Sequence, residues 1–311
     1  MTARTDQGRA AAGRAFAEWA AGEGMPAPAA LARTPRAFDE ALVRYLRSLW
    51  VRGAPKTWAR EVVAFGPHTF PLDLRGPGAL PGARRALQGW MRHETAEFRT
   101  PMPLAIFQAV FVYFVTSRRY DAAVLLLLSF AAVLRPGEAA SLRRADLVGP
   151  GEHGEPLFII VVRDPKTRWF AAPIQHSVLE EPASFALLEW FLAPLAQDAY
   201  LWPGPTYDAR LQRFERVLSR ALTRLGLAGL GLVPSSCRGG GATLLWLRTF
   251  NEGLVQRKGR WDSKRTLRHY LQQAGATLVL TQAPPRAREL VAALAPLFVL
   301  LLTPPVYPRR L

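Results

Sequence analysis

Arg135, Lys166, Arg238 and Tyr270 stand far apart in the chain, each beside residues that shape a turn or a helix end. Arg135 closes an apolar run and precedes Pro136-Gly137, with Glu138 three residues on. Lys166 lies in the turn RDPKT between two strand-like runs. Ser235 and Arg238 form an S-x-x-R pair ahead of the glycines at 239–241, and Trp261 and Tyr270 lie nine apart in GRWDSKRTLRHY. These residue types suit one kind of chemistry. Guanidinium forks match the non-bridging oxygens of a phosphodiester and offset the charge that builds as phosphorus becomes five-coordinate. A lysine can protonate a leaving alkoxide, and a tyrosine can attack and hold the phosphoryl group covalently. Fixed cations take the place of a metal ion in such a site, so no cofactor is expected. One cysteine and five scattered histidines build no zinc pattern.

Composition agrees with a phosphate-rich partner. The 311 residues include 40 Lys and Arg against 24 Asp and Glu, a formal net charge of +16. That excess points to a polyanion, nucleic acid ahead of an anionic membrane. Half of the residues are hydrophobic, enough for a real core. Cys237 is the sole cysteine, which forbids an internal disulfide and fits a reducing compartment. The first residues lack the apolar core of a signal peptide. The apolar runs 122–134 and 290–302 fall short of the ~18 residues a membrane span needs.

The candidate residues need elements to hold them. Residues 1–33, rich in Ala, Gly and Arg, fit a helix or a loose basic arm. Thr34-Pro35 starts a helix carrying Phe38, Leu42, Tyr45, Leu46 and Leu49 at helical spacing. A second helix is expected over 83–91. The polar, proline-marked stretch 94–103 places a boundary near residue 100. Beyond it, helices are predicted over 104–116 and 121–134, with a break at Pro136-Gly137 and a restart at Glu138. LFIIVV (157–162) and WFAAPIQ (169–175) read as a β-hairpin. Helices follow over 182–195, 208–225, 240–248, 264–273 and 286–302. The expected fold class is mostly α (α+β), with one small β-sheet.

Four boxes in this order and spacing resemble the catalytic domain of the tyrosine recombinases, the phage-integrase-like enzymes, over roughly residues 104–283. LLLLSFAAVLRPGEAASLRRADL resembles the first-arginine box, which implies Arg135 as the first catalytic arginine with Glu138 supporting it. VVRDPKTRWF resembles the family's strand pair and implies Lys166 as the catalytic lysine, with Arg163 and Arg168 as close competitors. SSCRGGGAT resembles the His-x-x-Arg box, with Arg238 as the second arginine and Ser235 in the histidine's place. GRWDSKRTLRHY resembles the final box, which makes Tyr270 the nucleophile and Trp261 an indole N–H donor to the phosphate. The GRW and RGGGAT wording is similar to integrase-like sequences of eukaryotic mobile elements.

The resemblance implies an organisation: a basic arm over 1–33, a helical core-binding domain over 34–100, a catalytic domain over 101–283, and a C-terminal helix and tail over 284–311. In the family that last helix often docks on a neighbouring protomer. Arg257, Lys258, Arg260, Lys264, Arg265 and Arg268 are expected to meet DNA phosphates and favour the phenolate. The implied activity is site-specific DNA recombination or integration through a 3′-phosphotyrosine. It would act on double-stranded DNA, as a homo-oligomer (a tetramer in the family), in the nucleus or another DNA-containing compartment, away from membranes.

One departure stands out. Serine donates a hydrogen bond but does not act as an acid or base near neutral pH, and losing a general acid–base group commonly costs ~10²–10⁴-fold in rate. Glycines at 239–241 would also loosen a helix. Two alternatives therefore stand beside the recombinase: a weakened or inactive DNA-binding remnant, and a type IB topoisomerase-like enzyme. Plainer roles compete residue by residue. Ser235 fits a helix N-cap, Trp261 a core aromatic and Arg135 a helix C-cap. Tyr307 is the downstream rival of Tyr270, and Cys237 fits a packing role.

Overall fold

Apolar residues recur at helical spacing through nearly every stretch that glycine and proline leave uninterrupted, and helices result. The computed structural model describes residues 3–70, 74–76, 79–93, 100–165, 174–262, 267 and 273–303. The chain divides into two units, Met1–Glu97 and Phe98–Leu311.

The first unit contains α1 (Ala3–Gly22), α2 (Pro28–Leu31), α3 (Pro35–Val51), α4 (Lys56–Thr69) and α5 (Pro81–His93). Proline occupies the first position of α2, α3 and α5, where its missing N–H has no helical partner to lose. α1 packs on α4, and α5 packs on α3 and α4. Phe16, Phe38, Tyr45 and Phe65 meet in its core with ring centroids 5.5–5.8 Å apart. The stretch read as a basic arm therefore contributes to this unit. Ala12, Phe16 and Ala20, one helical turn apart, are buried. Asp39 of α3 is buried too, and accepts the Gly82 and Ala83 amides, each at 2.7 Å. It caps the start of α5 from a neighbouring helix.

The second unit opens with α6 (Leu104–Thr116), α7 (Tyr120–Ala131) and the single turn α8 (Pro136–Ala139). A three-stranded antiparallel sheet follows, β1 (Leu147–Val148), β2 (Phe158–Val162) and β3 (Gln175–Leu179), with the short α9 (Pro150–His153) between β1 and β2. Its register pairs Leu147 with Ile160 and Phe158 with Leu179. Then come α10 (Phe185–Leu192), α11 (Tyr207–Arg224), α12 (Pro234–Thr249), α13 (Glu252–Gly259), α14 (Gln273–Gln282) and α15 (Pro285–Leu294). Two 3₁₀ turns, Ala295–Phe298 and Leu300–Leu302, end the described chain.

Three differences from expectation bear on the site. The described partner of β2 is 175–179; of the expected strand 169–175, residues 169–173 lie outside the described residues. Its inward side chains, Ser177 and Leu179, are buried, and the Ser177 hydroxyl donates to Ala132 O at 2.7 Å, tying the sheet to the end of α7. The helix after β3 begins as a 3₁₀ turn (Pro182–Ser184) and α10 ends at Leu192. α12 starts at Pro234 rather than 240, so the glycines 239–241 lie within it and are buried.

Those glycines are required by close approach. A Cβ on Gly240 would stand 2.7 Å from Phe130 Cε2 and nearer still to Met102 O. A Cβ on Gly241 would stand 2.9 Å from the Phe130 carbonyl carbon and nearer to its oxygen. α12 thus lies backbone-close on α7 and on the segment before α6, whose Met102 N–H donates to Ser236 O at 2.8 Å. Between them Cys237 is fully buried, 4.0 Å from Met102 Sδ, and burial pushes its thiol up to about 12. It is a packing residue.

The terminal segment, expected to dock on a neighbouring protomer, lies on its own chain. α15 and the 295–298 turn pack against α6, and Phe298 meets Phe107 and Phe111 at 5.4 and 4.9 Å between centroids. No helix among the described residues is long and apolar enough to cross a membrane.

Candidate active site

α7 ends at Ala131, and the chain turns through Val133, whose φ is +53°. A β-branched residue in that region is strained. The turn delivers Arg135 to the N-cap of α8, with Pro136 as its first helical residue. Glu138 then folds back onto Arg135. Its Oε2 accepts the Arg135 backbone N–H at 2.9 Å and its Oε1 accepts Arg135 Nη1 at 2.6 Å. Arg135 therefore sits at a helix start, not at the C-cap that its position after an apolar run suggested. A Cβ on Gly137 would meet the phenol of the half-exposed Tyr207, which would have to swing aside.

Arg238 arrives from α12. The cap of that helix is Val233, whose N–H donates to Ser236 Oγ at 3.1 Å. Ser236, not Ser235, thus performs the capping. Ser235 lies half-buried on the same helix face as Arg238, one turn before it. The Arg238 side chain is 2% exposed. Its Nη1 stands 3.8 Å from Glu138 Oε2, and its Nη2 donates to Gly259 O.

The tripeptide Gly259-Arg260-Trp261 supplies the third side. α13 ends at Gly259, and Arg260 turns the chain with φ +55°, a conformation glycine would take without strain. Gly259 offers its carbonyl to Arg238, and a Cβ there would fall inside the Trp261 ring. Arg260 Nη2 donates to Glu138 Oε2 at 2.5 Å. The Trp261 ring lies 4.5 Å from Arg238 Cζ, a cation–π contact, and is buried with Val133, Ala242, Val255 and Leu267.

Glu138 is thus a hub. One carboxylate, 4% exposed in its side chain, meets guanidiniums from three separate elements. Burial alone would raise its pKa. The charges of Arg260 and Arg135, the Arg135 N–H and the charge of Arg238 outweigh burial and hold it below the ordinary glutamate range. Burial, with Arg135 close by, lowers the pKa of Arg260, and Glu138 opposes that shift. Three cations to one anion leave an excess of positive charge in a mostly buried place, open to solvent at Arg135, whose side chain is 23% exposed. Such an excess is costly until an anion joins it.

The remaining predicted residues divide by location. Lys166, Arg168, Lys264, Arg265, Arg268, Tyr270 and Tyr307 lie outside the described residues. Arg163, the competitor of Lys166, donates to Asp146 at 2.5 Å. Arg257 is exposed on α13, whereas Lys258 is engaged with Glu180 at 2.5 Å and Arg260 is buried against Glu138. Of the residues expected to meet DNA phosphates, these last two are thus engaged with carboxylates of the chain itself. Among the described residues no cluster of His, Cys, Asp and Glu could hold a metal ion. Sequence reading gave Glu138 only one of its three arginines. The positive-φ turn at Arg260 had one sequence signal, the glycine just before it.

No protein-family model matches the chain, and no curated protein matches it. Among solved structures it is similar to the XerH site-specific recombinase bound to difH substrate in a pre-cleavage complex, at 16% identity and a TM-score of 0.46, over 71% of this chain and 67% of that one. The post-cleavage complex of XerH with palindromic difH substrate gives the same identity and score over 78% and 75%. XerA recombinase is similar at 17% identity and a TM-score of 0.41, over 88% of this chain and 98% of that one.

Proposed function

We propose that the chain cuts and rejoins double-stranded DNA through a 3′-phosphotyrosine. The Tyr270 oxygen bonds to a backbone phosphorus as the bond to the 5′ oxygen breaks. The tyrosine gives up its proton to solvent water, and the Lys166 ammonium delivers one to the departing 5′ oxygen. A 5′ hydroxyl then attacks the phosphotyrosine in the reverse sense. Because the ester conserves the bond energy, neither nucleotide nor metal is required. Arg135 and Arg238 hold the phosphate, Ser235 adds one hydrogen-bond donor, and Trp261 stacks beneath Arg238. Arg257, Lys264, Arg265 and Arg268 meet neighbouring phosphates. The protein acts as a homo-oligomer on DNA, as a mobile-element integrase, in the nucleus or another DNA-containing compartment.

The convergence of Arg135 and Arg238 on Glu138 from distant parts of the chain is the observation that carries this reading, together with the four boxes. The burial of the glycines 239–241 in close contact supports an intact fold over an eroded remnant. Nicked suicide duplexes test it. Wild type should form a covalent complex resistant to denaturation, and Tyr270→Phe should form none. Duplex binding without any covalent complex would sink the reading and leave a DNA-binding protein. Plasmid relaxation by the protein alone would move it to the topoisomerase class.

A further inference from the structure

Arg260, expected to meet DNA phosphates, has a side chain that is 8% exposed and bonded to Glu138. Only Nη2 is used in that bond. Nε and Nη1 are buried and have no hydrogen-bond partner among the described residues. A buried guanidinium with idle donors is costly. The backbone that places it is strained as well, since φ +55° disfavours any residue with a Cβ. Strain and unmet donors at one residue point to a ligand.

The identity of that ligand follows from charge. Arg260 Nη2 and Arg238 Nη1 flank the same oxygen, Glu138 Oε2, at 2.5 and 3.8 Å, and Arg135 holds the other oxygen. The parts of the second unit outside the described residues, 98–99, 166–173, 263–266, 268–272 and 304–311, contain no Asp or Glu. The chain therefore has no further acidic side chain there to balance the excess. An oxyanion entering beside Arg135 would do so.

We infer that Arg260 is a third phosphate-binding arginine, donating Nε and Nη1 to the scissile phosphate while Nη2 keeps hold of Glu138. This rests on the proposed phosphodiester chemistry and deepens it. It gives the site a strong donor where Ser235 supplies only a weak one, and it matches three cations and one carboxylate to the growing negative charge of the transition state.

Two readouts test this, one of them independent of cleavage. In the first, the melting temperature of the full chain is followed against inorganic phosphate, with chloride at matched ionic strength. Wild type should show a saturable rise. Arg260→Gly, which suits the positive φ, should lose it, and the exposed-site control Arg257→Gln should keep it. No rise in wild type, or a rise retained in Arg260→Gly, overturns the inference whether or not DNA is cut. In the second, covalent-complex formation on suicide duplexes should fall by ~10²–10³-fold in Arg260→Gly, with duplex affinity nearly unchanged. The deficit should shrink on a duplex carrying a neutral methylphosphonate at the scissile position, because less charge then needs offsetting. An equal deficit on both substrates would mark Arg260 as merely structural and overturn the inference.

Discussion

Alanine at Gly240 or Gly241 separates two accounts of the glycine run by the sign of its effect. If the run were erosion, each Gly→Ala change in the interior of α12 would stabilise the helix by roughly 0.5–1 kcal/mol. The structure predicts the reverse. A methyl at 241 would stand 2.9 Å from the Phe130 carbonyl carbon, and one at 240 would stand 3.1 Å from the Met102 carbonyl carbon and nearer to its oxygen. Backbone cannot rotate away as a flexible side chain can, so α12 must move off α7. Overpacking of that kind costs about 1–3 kcal/mol, which outweighs the propensity gain. Gly89 supplies the control, because it lies in α5 and its added Cβ meets nothing within 4 Å. Gly89→Ala should stabilise by roughly 0.5–1 kcal/mol. The chain has two units, so these opposite effects are best read segment by segment. Hydrogen exchange resolved by segment is the suitable assay. Gly241→Ala should speed exchange in α7 and α12, and Gly89→Ala should slow it in α5. Slower exchange in α12 after Gly241→Ala would refute the packing argument.

Other expectations follow from the same geometry. Glu138 is held below the ordinary glutamate range, so the unfolded chain takes up its proton first as pH falls. The contribution of the arginine hub is full above the unfolded pKa of ~4.3 and drains away as pH falls through the folded value. Melting from pH 6 to 3 should show this acid limb in wild type and a flatter one in Glu138→Gln, which itself should cost ~3–5 kcal/mol by leaving buried cations unpaired. Asp39→Ala removes the acceptor of two α5 amides and should cost about 1–2 kcal/mol, seen as faster exchange at Gly82 and Ala83. Ser235→His should raise the rate of covalent-complex formation, since its position one turn before Arg238 is free of the capping role that Ser236 performs. No gain would mean the pocket has no room for an imidazole.

What the sequence disclosed depended on how local each signal was. α6 was legible end to end because Pro103 and Ser117 bracket an apolar run. β2 was legible from IIVV, but its partner was not. QHSVL is short and polar, and its register is set by Ser177 reaching Ala132, a contact 45 residues away. α1 hid its apolar stripe among alanines, and α13 was hidden by a basic, glycine-marked stretch. Through order and spacing the boxes named Arg135, Arg238 and Trp261, which lie around Glu138, while Lys166 and Tyr270 lie outside the described residues. The boxes could not give the hub. A carboxylate three residues from Arg135 reads as a local partner, and nothing local says that Arg260, 122 residues on, will share it. Basic residues in a run also read as solvated, and burial of Lys258 and Arg260 is a tertiary fact.

The strained backbone and the excess charge belong to one arrangement. Of the four non-glycine residues with positive φ among those described, Val133 lies two residues before Arg135 and Arg260 is itself in the hub. Neither conformation would persist alone. Val133 is buried with Ala242, Val255, Trp261 and Leu267, and that small core pins the turn before Arg135, the middle of α12 and the end of α13 against one another. Packing therefore fixes guanidiniums that would otherwise repel, and it does so before any anion is present. On the proposed phosphodiester chemistry, donors already in place would need no reorganisation as charge develops, which is where electrostatic catalysis gains most over water. The same reasoning explains why Glu138 is an acid rather than an apolar residue. Without it three buried cations would push one another apart. With it they stay gathered, and the cluster still falls short of neutrality by an amount that a phosphodiester can fill.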